Sequence, residues 1–159
     1  MVGRSHFYYR DPRAPEPNHR RTLSVIALIE RDGSILLERR TDAPVWSLIA
    51  GMVEDTETLT QALRREVREE TGLTVSSYEL FGTFTDPTRI VSYADGNVFR
   101  VASFVYFVTV ESFGGLRPSS ESEQLRFFPK TEILELDLPA TQRHIVERLV
   151  SGDPPPPLE

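Results

Sequence analysis

The chain has 159 residues, 39% of them hydrophobic and 26% charged, which suits one globular domain with a single good core. A net charge of −6 argues against a duplex nucleic-acid partner, and the absence of cysteine excludes disulfides and thiol chemistry. No apolar run reaches the roughly 18 residues of a membrane span, and "MVGRSHFYYR" lacks the apolar core of a signal peptide. The sequence therefore predicts a cytoplasmic protein that meets neither nucleic acid nor membrane.

Residues 1–20 carry prolines and charges without a period and read as an extended N-terminal arm, with Phe7, Tyr8 and Tyr9 available to pin it to the body. A single domain is expected over 21–151. It opens with "TLSVIALIE", a β-branched apolar strand buried on both faces. Asp32-Gly33 is a good hairpin pair, and "ILLERR" is the returning strand. "TDAPVWSLIAG" mixes a loop with a short strand ending at Gly51. After the loop "MVEDTE", Thr58 and Gln61 form a capping box that starts a helix, and Gly72 suits its left-handed end. "YELFGTFTDP" is a strand that stops at Pro87, followed by a long hairpin turned at Asp95-Gly96. A polar loop, "ESFGGLRPSSESE", leads to the short strand "QLRFFP" and the amphipathic helix "ATQRHIVERLV". The tail, 152–159, is proline-rich and predicted to be flexible or polyproline-like. Strands and helices intermix, which points to an α/β domain with a mixed sheet.

The helix carries an anomaly. At 100° per residue, Leu59, Ala62, Leu63 and Val67 form the core-facing stripe. Glu66 and Glu70 fall inside that sector and Glu69 lies at its edge, whereas Arg64 and Arg68 point to water. Carboxylates at i, i+3 and i+4 are neighbours, repel one another and raise one another's pKa. Burying them requires a compensating positive charge. A hard divalent cation supplies it, and an all-oxygen donor set suits Mg²⁺ or Mn²⁺. The chemistry this predicts is metal-assisted attack of water on a phosphoanhydride.

Residues 51–73, "GMVEDTETLTQALRREVREETGL", place Gly51, Glu57, Arg65, Glu66, Val67, Glu69, Glu70, Gly72 and Leu73 at a fixed spacing. This pattern resembles the Nudix box of the Nudix hydrolases, and its seven fixed identities arise by chance at roughly 10⁻⁸ per start position. The resemblance implies an α/β/α sandwich with a central mixed β-sheet. It implies that Glu66 and Glu70 are the main metal ligands, that Glu69 is a further ligand or base, and that the backbone carbonyl of Ala50 joins them. Arg65 and Glu57 are implied to pair and fix the loop against the helix, with Gly51 and Gly72 in structural roles. A further carboxylate commonly comes from the loop before the last strand; Glu121 and Glu123 are available, and the spacing to Phe127-Phe128 favours Glu121 as outer ligand or general base.

Two departures stand out. Ile49-Ala50 replaces the frequent Pro-Gly, and Thr56 stands where glycine is frequent. "AGMVE" resembles the form common among ADP-ribose and nucleotide-sugar pyrophosphatases, which often carry a proline about fifteen residues past the box; Pro87 lies close to that place. The expected activity is a Mg²⁺-dependent (or Mn²⁺-dependent) pyrophosphohydrolase of a nucleoside diphosphate linked to a group X, with ADP-ribose or a nucleotide sugar preferred. The alternatives are a pyrophosphatase that removes oxidised nucleoside triphosphates and a non-catalytic nucleotide-sensing module. Arg39 and Arg40 are candidates to hold phosphates, since planar bidentate donors suit them, and Trp46 to stack on a base. Tyr93, Phe99 and Arg100 sit near a hairpin able to shape the pocket. His6, His19 and His144 show no metal-ligand spacing. The expected partner is the small nucleotide substrate; the N-terminal arm is also compatible with a homodimer.

Overall fold

The central residues of strand β2 (Thr22–Arg31) are buried without interruption, because successive side chains point to opposite faces and both faces are covered. Val25, Ala27 and Ile29 enter one core, Ile26 and Leu28 the other. The computed structural model describes residues 3–152 and 157–159. β2 turns at Asp32 and Gly33, with φ of 51° and 80°, the pair of positive values a tight hairpin needs. Strand β3 (Ser34–Arg40) follows, and β4 (Trp46–Met52) runs antiparallel to both β2 and β3.

The predicted helix is α1 (Leu59–Thr71). Thr58 Oγ1 accepts from the Gln61 backbone N–H at 3.1 Å while the Gln61 side chain accepts from the Thr58 N–H at 2.8 Å, so two otherwise orphaned donors are satisfied at its start. It ends where Gly72 adopts φ 75° and donates to Arg68 O, a conformation that favours glycine. Ala62, Leu63 and Val67 are buried as the periodicity requires, and Arg64 and Arg68 are exposed.

Strand β5 (Val75–Phe84) and the short β6 (Ile90–Ser92) both pair antiparallel with β7 (Val98–Val110), the latter across the turn at Gly96. β7 runs parallel to β2, and β8 (Ser122–Pro129) closes the far edge against β3. The described residues thus form one eight-stranded mixed sheet. Helix α1 covers one face, and α2 (Ala140–Ser151) the other, through Ile145, Val146 and Leu149. This is the α/β/α sandwich expected. No helix among the described residues is long and apolar enough to cross a membrane.

Both ends of the chain are tied more closely than the sequence suggests. Part of the N-terminal arm is a strand, β1 (His6–Tyr8), paired with β6, and Tyr9 stacks on His144 of α2 at 4.0 Å. Asn18 then bonds the backbone of Val98 in both directions. Most of the proline run expected to be flexible lies outside the described residues. Beyond it, Pro157 O accepts from Thr83 N, and the Glu159 carboxylate accepts from the N–H groups of Thr85 and Asp86, all at 2.8 Å.

One polar side chain crosses the interior. Arg89, 1% exposed, donates through Nη1 to Phe84 O, Val101 O and Ser103 Oγ, through Nη2 to Thr141 O, and through Nε to His144 Nε2. It joins the end of β5, strand β7 and the start of α2 without an ion pair to any described carboxylate. Burial brings its pKa down to about 10. Burial and the Arg89 charge bring His144 down to about 4, so the imidazole is a neutral acceptor at physiological pH. Replacing Arg89 by leucine removes the guanidinium donor from three backbone carbonyls. Urea unfolding of Arg89→Leu should show a loss on the order of 3 kcal/mol or more; unchanged stability would mean that this crosslink carries no weight.

Candidate active site

Three segments meet beside α1: the end of β4, the loop from β4 to α1, and the loop leading into β8. Gly51 faces Glu66 so closely that a Cβ there would overlap the Glu66 carboxyl group. The absence of a side chain at this position is therefore what admits a carboxylate between helix and sheet. Arg65 fixes the intervening loop. Its guanidinium bonds Glu57 through Nε at 3.0 Å and Nη2 at 2.5 Å, Met52 O at 3.0 Å, and Glu66 through Nη1 at 2.7 Å. Glu57 also accepts from Glu54 N, so the pairing of Arg65 with Glu57 closes the loop on the helix. Both partners are shifted in the direction that keeps them charged, chiefly by their mutual hydrogen bonds.

The third segment is anchored at the C-terminal end of α1. Arg117 N donates to Thr71 O, and a Cβ on Gly72 would lie 2.5 Å from Gly115 O. Glycine at this position thus serves two needs, the left-handed helix end and the close approach of the loop. Further along, Glu121 O accepts from both the backbone N–H and the hydroxyl of Thr41. That sets the Glu121 side chain beside Glu70.

The acidic residues divide into two groups, one at Glu66 and one at Glu70, a turn apart on α1. Glu66 is turned towards Arg65. Its pKa is pushed up to about 7 by burial, with the charges of Glu70 and Glu69 adding to that and Arg65 opposing it. Glu70 is 6% exposed, accepts from Ser119 Oγ at 2.9 Å, and lies against Glu38 and Glu121. Burial, then the Glu38 charge, raises its pKa. Burial, then Glu70, does the same for Glu121. Glu69 sits at the rim, largely exposed, and meets Arg65 at 3.2 Å.

These residues border an open cleft of about 540 Å³ lined by Glu38, Glu66, Glu121, Arg40, Ala50 and Gly51, among others. Glu70 lies just behind Glu38 and Glu121. As placed, no three Asp, Glu or His side chains among the described residues converge tightly enough to enclose one ion. Glu66 is held by Arg65, and Glu70 by Ser119. The donors nevertheless fit a hard divalent cation. They are all oxygens, they border space that a glycine leaves free, and burial and like charge push their pKa values up, a penalty that a cation would relieve.

Glu38 was not foreseen. It is 4% exposed on β3, accepting from Ser47 Oγ at 3.2 Å and Ser122 Oγ at 2.5 Å, and burial raises its pKa. A signal was present: Leu36, Glu38 and Arg40 alternate on one face of "ILLERR", and Leu36 belongs to the core under α1. Of the residues proposed for substrate, Arg40 reaches the cleft, as does Tyr93. Arg39 instead lines a neighbouring pocket of about 220 Å³ with Arg4 and Glu123. Trp46 points into the core under α2, edge-on to Phe128 at 4.8 Å, and does not line the cleft. Phe99 stacks on His19, and Arg100 donates to Pro87 O.

The NUDIX domain matches residues 18–149. The chain is 32% identical over 117 residues to an ADP-ribose pyrophosphatase of Methanocaldococcus jannaschii, covering 72% of this chain and 65% of that protein, a little under two thirds of its length. It is 33% identical over 128 residues to the nucleoside triphosphatase NudI of Salmonella paratyphi B, covering 76% of this chain and 90% of that one. Among solved structures, a MutT protein from Methanosarcina mazei superposes with a TM-score of 0.69 at 26% identity, over 86% of this chain and 98% of that one.

The raised pKa of Glu66 has a signed consequence for the metal-free protein. A carboxyl group that holds its proton up to about 7 when folded, and to about 4.5 when unfolded, adds stability at low pH that is lost as pH rises through that window. His144 acts in the opposite sense over an overlapping range, so the effect is isolated by the variant Glu66→Gln, which keeps the neutral shape and leaves His144 unchanged. In thermal unfolding, metal-free Glu66→Gln should exceed wild type by a few degrees near pH 7.5, and the gap should close near pH 5. A gap independent of pH would contradict this assignment.

Proposed function

This chain belongs to the Nudix family of hydrolases, which act on phosphoanhydride bonds, and on that premise we propose that it is a divalent-cation-dependent pyrophosphohydrolase of nucleoside diphosphates linked to a group X. The observation that carries the reading is the pair Glu66 and Glu70, one helical turn apart: half-buried Glu66 lines an open cleft, and buried Glu70 lies against Glu38 and Glu121, which line it too, with burial raising the pKa of both. A diphosphate is repelled by such a cleft unless a cation is bound there.

Glu66 and Glu70 would hold the ion, Glu69 would swing in from the rim, and Ala50, which lines the cleft, would offer its carbonyl. A bound Mg²⁺ or Mn²⁺ supplies Lewis-acid polarisation of phosphate oxygens and a lowered pKa for water. Arg65 holds Glu66 in place through the Glu57 crosslink. Glu121, exposed on the cleft wall and with its pKa raised by burial of its carboxyl group and by Glu70, is suited to accept the proton of the attacking water. Arg40 borders the same cleft and presents N–H groups to phosphate oxygens.

For the substrate, the resemblance to the archaeal ADP-ribose pyrophosphatase and the Ala50-Gly51 form favour ADP-ribose or a nucleotide sugar. The similarity to NudI supports a second reading, hydrolysis of a nucleoside triphosphate. A panel of nucleotide derivatives incubated with Mg²⁺ or Mn²⁺ separates the two. Two phosphomonoesters are expected; inorganic pyrophosphate as product would establish the second reading, and no turnover on any substrate would leave a binding module. In the same assay, Glu70→Gln should lower kcat by about 100-fold or more while melting no lower than wild type. Normal turnover of Glu70→Gln would remove that residue from the site.

A further inference from the structure

We propose that the N-terminal strand completes the substrate site, with Asp42 and Ser5 as positioning residues that hold Arg40 as a phosphate clamp opposite the helix carboxylates; this rests on the function proposed above. Arg40 stands at a junction. Its side chain, only 20% exposed, borders the 540 Å³ cleft and two adjoining hollows of about 80 and about 220 Å³. Nε and Nη2 donate to the two oxygens of Asp42 at 2.6 and 2.7 Å, a fork-to-fork pairing.

Asp42 is held in turn from the N-terminal arm. Ser5 Oγ donates to Asp42 Oδ2 at 2.5 Å, and Ser5 N donates to Asp42 O at 2.8 Å. Two residues on, and therefore on the same side of the extended chain, the ring of Phe7 lies 5.2 Å from the Arg40 guanidinium. The guanidinium is thus fixed at its edge by a carboxylate and on its face by a ring. Burial alone would lift the Asp42 pKa, but the bonds from Arg40 and Ser5 outweigh it and hold the carboxyl below its usual range. The clamp therefore stays closed at neutral pH.

A guanidinium has five N–H donors, and Asp42 occupies two of Arg40's. No described residue accepts from the Nη1 pair, on a side chain that lines a cleft whose charged residues are mostly acidic. Glu38 and Glu121 are near enough to interact with its charge. A free arginine side chain loses rotamer entropy when it is fixed on a ligand, and pre-ordering by Asp42 removes that cost before a phosphate arrives. The competing idea, that Asp42 merely cancels the charge of Arg40, makes the opposite prediction for substrate affinity.

The experiment is a double-mutant cycle on the substrate that the wild type hydrolyses, using Arg40→Ala, Asp42→Ala and the double variant, with thermal unfolding as the folding control. Asp42→Ala should raise KM about tenfold with a smaller change in kcat, and the double variant should be no worse than Arg40→Ala alone. Ser5→Ala, a milder change, should raise KM a few-fold without lowering the melting temperature by more than a few degrees. A lower KM in Asp42→Ala, or fully additive losses in the double variant, overturns the clamp. Absence of wild-type turnover would instead overturn the function proposed above. In that case calorimetry with inorganic pyrophosphate and Mg²⁺ decides the clamp alone: wild type should bind, Arg40→Ala and Asp42→Ala should each weaken binding, and the double variant should weaken it no further. No binding to wild type, or no weakening in Asp42→Ala, overturns it.

Discussion

Two carboxylates on consecutive turns of a helix, pressed against a sheet, set the terms for the rest of this structure. Glu66 and Glu70 occupy positions on α1 that its amphipathic pattern assigns to the interior, and burial raises the pKa of both. That arrangement costs free energy and persists only because the surroundings over-determine it. Val67 and Leu63 pin the helix to the sheet through the core between them. Gly51 leaves the space for Glu66, and Arg65 ties the helix to the loop before it. Gly72 ends the helix in a conformation that lets the Glu121 loop come close. Each of these features would be unremarkable alone; together they hold negative charge where the fold would otherwise exclude it.

The sheet divides the labour. Its α1 face carries Glu38 on β3 and, at Gly51 of β4, the space into which Glu66 of α1 fits, and its α2 face is sealed by apolar packing and by the buried Arg89 crosslink. Arg40 bridges the two regions, since it borders both the acidic cleft and the small hollow that Arg89 lines. A diphosphate entering the cleft would meet both the acids that would hold a cation and this guanidinium. Positive charge pre-positioned where phosphate oxygens would sit is what phosphoryl chemistry requires of a protein.

Much of this was legible in the sequence where the signal is local. The helix from its capping box to its terminal glycine, the inward phase of Glu66 and Glu70, and the pairing of Arg65 with Glu57 all depend on residues within a few turns of one another. What escaped depends on distant partners. Glu38 needs the hydroxyls of Ser47 and Ser122, the second of which is supplied by another strand 84 residues away. Asp42 meets Ser5 across 37 residues, and Arg89 meets Thr141 across 52. Neither arginine nor aspartate announces such a role from its neighbours. Trp46 shows the converse: a strand offers two faces, and only the pairing of β4 with β2 and β3 decides that Trp46 joins the core with Leu48 while Gly51 faces the helix. The contact of Glu159 with Thr85 and Asp86 is of the same kind, made through backbone groups that composition does not reveal.

The central claim is that Glu66 and Glu70 hold a divalent cation that draws a diphosphate into the cleft. Titration of Mn²⁺ into the metal-free protein near pH 7.5, with free ion read by electron paramagnetic resonance and pyrophosphate present, tests it most directly. The account predicts saturable binding in wild type that weakens about tenfold or more in Glu66→Gln and again in Glu70→Gln. Equal affinity in all three proteins, or no binding by the wild type, would contradict it.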